Sequence, residues 1–169
     1  MTGATRLVLV GAEEMRAYGE RLGRGLRAGD WVALSGDLGS GKTTLVSGIL
    51  EGIHPGARGR SPTYVLIEVY GTRPTVLHAD LFRLRSPAEY ETLGLEDLAR
   101  ADAVVLIEWA DRATGRLPAE RLDLSLAFAG EDAREVLVTP RGASWEARLR
   151  EGLGRAARTG AAGRGRWRA

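Results

Sequence analysis

Apolar residues in this chain fall into two recurring patterns: short, nearly continuous runs, and longer segments in which they return every three or four positions. The short runs predict buried strands at residues 5–10, 30–35, 64–70, 75–80 and 103–108. The longer spacing predicts amphipathic helices at residues 12–27 and 42–53, the second with Leu45, Ile49 and Ile53 on one face. Strand and helix therefore alternate at the start of the chain.

The second half combines short helices with a hairpin. Gly94 divides residues 86–98 into two short helices. Alternating positions at 123–128 and 135–139 predict an antiparallel hairpin, and a last amphipathic helix is expected at 144–153. The complete pattern is typical of the α/β class, in which a central mixed, mainly parallel sheet is flanked by helices.

Length and charge divide the chain unevenly. Its 169 residues suffice for one sizeable core, which we expect to span residues 1–153. Residues 154–169 repeat Arg, Gly and Ala with little to bury, so a disordered basic tail is expected there. Such a tail could contact RNA phosphates, although an arginine-rich composition alone would also produce it.

Composition excludes several other classes. No apolar run reaches the ~18 residues that span a membrane, and no signal peptide pattern is present, so we expect a cytoplasmic protein with no membrane partner. The absence of cysteine excludes disulfides and thiol nucleophiles. Two separated histidines, His54 and His78, do not suit a histidine-based metal site.

One stretch carries specific chemistry. GDLGSGKTT, from Gly36 to Thr44, fits the P-loop pattern G-x-x-x-x-G-K-[ST], between a predicted strand and a predicted helix. In such a loop, backbone N–H groups surround phosphate oxygens, while Lys42 would reach the outer phosphates and Thr43 would hold Mg²⁺. The alternative is a glycine-rich turn that binds nothing. Against it, Lys42 is the single lysine among 24 basic residues, at the position where a compact ammonium suits phosphate.

Two carboxylates are expected at the same edge of the sheet as this loop. Asp80 and Glu108 each end an apolar strand, as Walker-B acids do, and the carboxyl ends of parallel strands meet at one edge. They could converge on one Mg²⁺, with one as metal ligand and the other as catalytic base; which is which stays open. A lone acid at a strand end is otherwise a turn former or helix cap. His78 is interpreted as a partly buried strand residue.

A switch segment is a further hypothesis. Ser61-Pro62-Thr63 follows the P-loop helix, where P-loop proteins place a segment that senses Mg²⁺ or the outer phosphate. Thr63 is therefore a candidate nucleotide contact. Alternatively, Ser61 and Thr63 only cap a turn before the next strand.

The motifs taken in order resemble one family. GDLGSGKTTL, SPTYVLIEVY, the H-x-D-L-F-R-L run from His78 to Leu84, the run from Glu89 to Leu98 and IEW at 107–109 are similar to TsaE (YjeE) proteins, from about Leu7 to Val138. The resemblance implies a single P-loop NTPase-like domain that hydrolyses ATP with Mg²⁺, weakly alone and better with its partners TsaB and TsaD. Those partners make N6-threonylcarbamoyladenosine (t6A) in tRNA.

The resemblance also assigns residues. It implies a catalytic set of Lys42, Asp80 and Glu108, and metal ligands among Thr43, Glu108 and Asp80. It implies phosphate contacts from Leu38, Gly39, Ser40, Gly41, Lys42, Thr43 and Thr44. It implies contacts to the adenine base near Gly11, Ala12 and Glu13 and near Asp132 and Arg134.

These features favour an ATP-driven switch acting on TsaB and TsaD. Two other classes stay open: a small-molecule P-loop kinase and a nucleotide-binding module without turnover. A GTPase is excluded because its N-K-x-D motif needs a second lysine.

Overall fold

A computed structural model describes residues 3–57, 66–100 and 102–154. Its strands are β1 (Thr5–Val10), β2 (Trp31–Gly36), β3 (Ile67–Tyr70), β4 (Thr75–Asp80), β5 (Ala103–Glu108), β6 (Arg121–Phe128) and β7 (Ala133–Arg141). Its helices are α1 (Gly11–Arg24), α2 (Lys42–Ile53), α3 (Pro87–Thr92), α4 (Leu95–Ala99) and α5 (Ala143–Glu151), with a 3-10 turn at Ala110–Ala113. The predicted elements are confirmed with small shifts at their ends. Helix α1 stops before residue 27 because Gly25 caps it, its N–H bonding to the carbonyls of Leu22 and Gly23.

The described strands form a seven-stranded sheet in the order β1-β7-β6-β2-β5-β4-β3. Strands β6, β2, β5 and β4 are mutually parallel. Strand β7 is antiparallel to β6 and β1 is antiparallel to β7, so β1 runs with the central strands, while β3 is antiparallel to β4. The prediction of a mixed, mainly parallel sheet is confirmed.

The central strands are apolar on both faces because both are covered. Helices α1 and α2 lie over one face, where Leu34, Leu106 and Leu124 belong to the larger core cluster. On the other face, Leu77 and Ile107 belong to a smaller cluster that also includes residues of α3, α4 and the 3-10 turn. A short loop leads from the carboxyl end of β2 to the start of α2.

Helices α1 and α2 approach so closely that their backbones touch. A Cβ atom built on Gly23 would lie 2.2 Å from the carbonyl oxygen of Ile49, and one on Gly48 would lie 2.3 Å from that of Arg16. Gly19 and Gly52 are equally crowded by backbone atoms. Only glycine fits such spacing, so these four positions set how α2, and the loop before it, sits on the sheet.

The end of the described chain is attached to this core by an ion pair. Arg148 of α5 donates to both carboxylate oxygens of Asp30, at 2.6 and 2.8 Å, and to the Gly25 carbonyl. Trp145 of the same helix is buried in the larger cluster. Residues 155–169, on which the predicted tail falls, lie outside the described residues. No helix in the described ranges is long and apolar enough to cross a membrane.

Candidate functional site

The glycine-rich loop connects β2 to α2, and its backbone φ angles are ones that residues other than glycine rarely adopt. Gly36, Gly39 and Gly41 have φ values of 143, 79 and 100°. A Cβ on Gly36 would also lie 2.4 Å from the carbonyl oxygen of Leu126 on the neighbouring strand. Gly41 is the N-cap of α2 and offers no side chain to the first N–H groups of the helix. Those groups and the positive end of the helix dipole are the features that bind anions.

Lys42 is folded back into this loop. Its side chain is buried and its Nζ donates to the carbonyls of Gly36 (2.6 Å) and Asp37 (2.9 Å). The ammonium also lies 3.8 Å from the centroid of the Trp109 ring. Burial lowers the pKa of Lys42, and the nearby carboxylates, Glu108 foremost, oppose that shift. An ammonium desolvated in this way gains from a bound anion.

The two strand-end acids are neighbours across β4 and β5, with Asp80 and Glu108 directly paired in the register. Glu108 is almost fully buried and accepts two hydrogen bonds. Thr43 Oγ1 donates to its Oε2 at 2.9 Å, and Nε2 of His78 lies 2.9 Å from its Oε1. Both oxygens of Glu108 are thereby oriented, one toward the first turn of α2.

Asp80 has a different environment. Its Oδ1 accepts the backbone N–H of Phe82 at 2.9 Å. Burial raises the pKa of Asp80, the Phe82 N–H lowers it, and the negative charge of Glu108 raises it further. A carboxylate with a raised pKa and a single backbone donor accepts a proton more readily than an ordinary aspartate.

These groups line one open cavity of about 340 Å³. Its walls are Leu38, Gly39, Gly41, Lys42, Thr43, Thr44, Asp80, Phe82, Glu108 and Trp109. The rings of Phe82 and Trp109 pack in a tilted arrangement, with centroids 4.9 Å apart and an angle of 49° between the ring planes, and Trp109 has a positive φ of 58°. Ser40 is not part of this lining: its hydroxyl is buried and meets no hydrogen-bonding partner among the described residues.

The two segments expected at the adenine meet beside the same loop. The backbone N–H of Gly11 donates to the carbonyl of Asp132 at 2.7 Å. Arg134 Nη2 lies 3.4 Å from the carbonyl oxygen of Gly39, and its guanidinium stacks over the exposed Phe128 ring at 4.4 Å.

The remaining expected contacts divide into two groups. Ala12 and Glu13 lie exposed in the first turn of α1. Thr63 falls outside the described residues.

Sequence reasoning did not identify Phe128 or the contact of His78. Phe128 lies just before the turn of the predicted hairpin, and an aromatic residue at such a place was a usable signal, whereas its exposure is seen only in the structure. For His78, the signal was its position two residues before Asp80 on the same strand. That spacing places both side chains on one face of the sheet.

A glycine loop that begins at the carboxyl end of a central parallel strand and ends in a helix carrying Lys-Thr defines the P-loop NTPase-like class of α/β proteins. This chain has that fold. The family model for Threonylcarbamoyl adenosine biosynthesis protein TsaE matches residues 9–136. The chain therefore belongs to the TsaE family.

Individual relatives agree with the family model. The tRNA threonylcarbamoyladenosine biosynthesis protein TsaE of Streptomyces coelicolor is 40% identical over 141 residues, which cover 78% of this chain and 93% of that protein. The protein of the same name from Bacillus subtilis is 37% identical, over 81% of this chain and 86% of its own length. The crystal structure of YdiB from Bacillus subtilis superposes with a TM-score of 0.76 at 32% identity, covering 92% of this chain and 97% of that one.

Proposed function

We propose that this chain is the Mg²⁺-dependent ATPase of tRNA N6-threonylcarbamoyladenosine (t6A) synthesis, acting as an ATP-driven switch on the partners TsaB and TsaD. The observation that carries the proposal is the 2.9 Å hydrogen bond between Thr43 and Glu108. It joins the P-loop to the carboxylate edge of the sheet, as a site for nucleotide phosphates and a metal ion requires.

The phosphate subsite comprises the loop and the start of α2. Its members are Leu38, Gly39, Ser40, Gly41, Lys42, Thr43 and Thr44. The fit is supported by the positive φ angles of the glycines, by the uncapped N-terminus of α2 and by an ammonium that donates hydrogen bonds to two carbonyl oxygens of its own loop. Lys42 would exchange those carbonyls for oxygens of the outer phosphates and stabilise negative charge there.

Thr43 and Glu108 would hold Mg²⁺, with Asp80 beside them. Mg²⁺ prefers oxygen ligands and is commonly bound through one or two carboxylates together with substrate phosphates. A hydroxyl and a buried carboxylate 2.9 Å apart suit that chemistry. Within the described ranges, no group of three or more His, Asp or Glu side chains could hold a metal by itself. When bound, the ion would neutralise charge on the phosphates and leave positioning to the protein.

The two acids have separate roles in this proposal. Glu108 is fixed from both sides by Thr43 and His78, which suits a metal ligand. Asp80 has a pKa raised by burial and faces the same cavity, which suits a group that orients and deprotonates the attacking water.

The adenine base of ATP would lie at the other end of the loop. Gly11, Ala12 and Glu13 on one side, with Asp132 and Arg134 on the other, form the adenine subsite in this proposal. The Gly11 to Asp132 hydrogen bond and the approach of Arg134 to Gly39 support a common site. Thr63 is the candidate sensor of the outer phosphate.

The involvement in t6A synthesis rests on family membership and on relatives named tRNA threonylcarbamoyladenosine biosynthesis proteins. In this proposal the chain works in the cytoplasm with TsaB and TsaD, and its basic tail is a candidate tRNA contact. No arginine is among the described residues that line the cavity. Arginine stabilises the transition state in many phosphoryl-transfer enzymes, so slow turnover alone and stimulation by partners are expected.

The test is the rate of phosphate release from ATP by the purified protein, alone and with TsaB and TsaD added. We expect stimulation by the pair and loss of hydrolysis in Lys42→Ala and Glu108→Ala, with Lys42→Ala weakening ATP binding more. Normal turnover in either variant would contradict the site assignment. A rate that depends on a small-molecule acceptor would indicate a kinase instead, and nucleotide binding without turnover under every condition would indicate a binding module.

A further inference from the structure

The buried histidine of β4 makes a contact that the proposed mechanism does not use. His78 is fully buried, and its Nε2 lies 2.9 Å from Oε1 of Glu108, itself only 2% exposed. Its Nδ1 is also buried and meets no hydrogen-bonding partner among the described residues. Among the described residues, Glu108 is thus the one side chain that hydrogen-bonds to this imidazole, which also lies beside the Tyr70 ring at 6.5 Å between centroids.

The carboxylate on Nε2 identifies the hydrogen-bond donor, and the lack of a partner for Nδ1 among the described residues argues against a second proton. An ionised carboxylate is an acceptor only, so Nε2 must carry the proton that lies between the two groups. A second proton on Nδ1 would be a buried donor with no acceptor, which is the costly arrangement. The Nε2–H tautomer of His78 therefore fits the geometry.

This donor acts on the oxygen of Glu108 that does not face the loop. Oε2 of Glu108 accepts from Thr43, and Oε1 accepts from His78. A glutamate side chain has three rotatable bonds, and a carboxylate without such contacts samples several orientations. His78 is anchored on a central strand, so it holds the carboxylate independently of what the loop binds.

We propose that His78 is a positioning residue that orients Glu108 for the metal ion, an inference that rests on the function proposed above. Partners behind a metal ligand fix its orientation, and removing them typically weakens metal affinity about 10–100-fold. The effect should fall on the metal and leave metal-free nucleotide binding unchanged. If His78 only filled core volume, its replacement would not lower metal affinity while leaving metal-free nucleotide affinity unchanged.

The experiment compares His78→Phe with His78→Gln. Phenylalanine keeps a ring of similar size but has no donor, whereas the glutamine amide can donate from a position close to Nε2. Mn²⁺ is titrated by electron paramagnetic resonance into the protein with ADP bound, and ADP affinity is measured separately in EDTA. Circular dichroism checks that both variants are folded.

We expect Mn²⁺ affinity to fall about 10–100-fold in His78→Phe and to recover most of that loss in His78→Gln, with ADP affinity in EDTA within about threefold of the parent. Equal Mn²⁺ affinity in parent and His78→Phe would overturn the inference, as would equal losses in both variants. Failure of the parent protein to bind ADP or Mn²⁺ would refute the proposed function and this inference with it.

A second measurement leaves His78 unchanged, so it does not depend on whether a variant at position 78 folds. In His54→Gln, His78 is the only histidine left, so one set of imidazole signals remains in a sample labelled with ¹⁵N-histidine. We expect His78 to be in the Nε2–H form. Its Nε2 resonance should shift when the Glu108→Gln substitution is combined with His54→Gln. A proton found on Nδ1 instead would contradict the hydrogen bond on which the inference depends.

Discussion

At the scale of single residues, Lys42 is the best-defined group of the site. Its Nζ reaches two carbonyl oxygens within 2.9 Å in a buried space beneath the Trp109 ring. A guanidinium is wider and planar, and its fork needs room that a point-charge ammonium does not. In a chain with 24 basic residues, this position holds the one lysine.

Lys42→Arg should therefore fail to replace lysine despite keeping the charge. We expect ATP affinity to fall at least tenfold, a loss of about 1.4 kcal/mol or more, and to approach that of Lys42→Ala. Isothermal titration calorimetry with ATP and Mg²⁺ measures this, and Arg16→Lys, an exchange on the exposed side of α1, serves as control. Affinity in Lys42→Arg equal to that of the parent would contradict the argument.

The two strand-end acids should separate kinetically. Asp80→Asn should lower the ATP hydrolysis rate about 100-fold or more, the usual contribution of a general base, with affinity for Mg²⁺ and nucleotide nearly unchanged. Glu108→Gln should instead raise the Mg²⁺ concentration needed for half-maximal nucleotide binding. The opposite result would exchange the two roles.

At the scale of elements, the glycines between α1 and α2 are structural requirements. Alanine is the better helix former by about 1 kcal/mol, so propensity alone favours Gly→Ala. The backbone oxygen of Ile49 at 2.2 Å from a Cβ on Gly23 argues the reverse, because backbone cannot rotate away as a side chain can. The cost of overpacking should exceed the gain in helix propensity, so Gly→Ala should lower the free energy of unfolding.

Gly23→Ala and Gly48→Ala are each expected to destabilise the fold by about 1–3 kcal/mol, the usual cost of overpacking. Urea denaturation gives the free energy of unfolding. Gly3→Ala is the matched control, since a Cβ there meets no atom within 4 Å. An unchanged or higher stability for Gly23→Ala would mean that the helices separate at no cost.

Helix α3 contains a buried tyrosine whose hydroxyl has no partner among the described residues. Burial raises the pKa of Tyr90 to about 12, with a smaller contribution from Glu96. The unfolded chain ionises this phenol at about 10. Above that pH the unfolded state releases the proton first, so this residue's contribution to stability falls from pH 10 to pH 12 and then levels off.

Tyr90→Phe should remove that alkaline loss. We expect the variant to be as stable as the parent at pH 7, or more stable, because it buries no unsatisfied hydroxyl. Relative to the parent it should then gain stability as pH rises from 10 to 12. Unfolding curves at several pH values measure the difference, and parallel profiles for the two proteins would contradict the expectation.

At the scale of the whole molecule, α5 joins the end of the described chain to the turn before the central strand β2. The carboxylate of Asp30, in the turn before β2, accepts from Arg148 through both oxygens and also from the backbone N–H of Arg27. The side chains of Arg148 and Asp30 are only 12% and 9% exposed. Loss of one partner would leave a buried charge without compensation.

Arg148→Ala and Asp30→Ala should each destabilise the protein by about 3–5 kcal/mol, as broken buried pairs do, and the double variant should cost less than their sum. Arg6→Ala is the control, because the Arg6–Glu135 pair lies at the surface, with side chains 62% and 32% exposed, and should contribute no more than about 1 kcal/mol. Additive losses in the double-mutant cycle would show that the pair is not coupled.

The sequence alone was enough for features that depend on local patterns. The P-loop, the strands that end in Asp80 and Glu108, and the two short helices around Gly94 follow from residue order, because periodicity, glycine and fixed motif spacing act over a few residues. The predicted bounds of α2, β4 and β5 are those of the structure. Family resemblance came from the same local motifs.

Tertiary structure decided what depends on contacts between distant segments. Insertion of the β6–β7 hairpin between β2 and β1 brings Asp132 to Gly11 and Phe128 to the P-loop. The pairing of β4 with β5, together with the position of α2, joins His78, Glu108 and Thr43 in one hydrogen-bonded chain. Strand order and side-chain rotamers are set by packing across the whole core, and no local pattern encodes them.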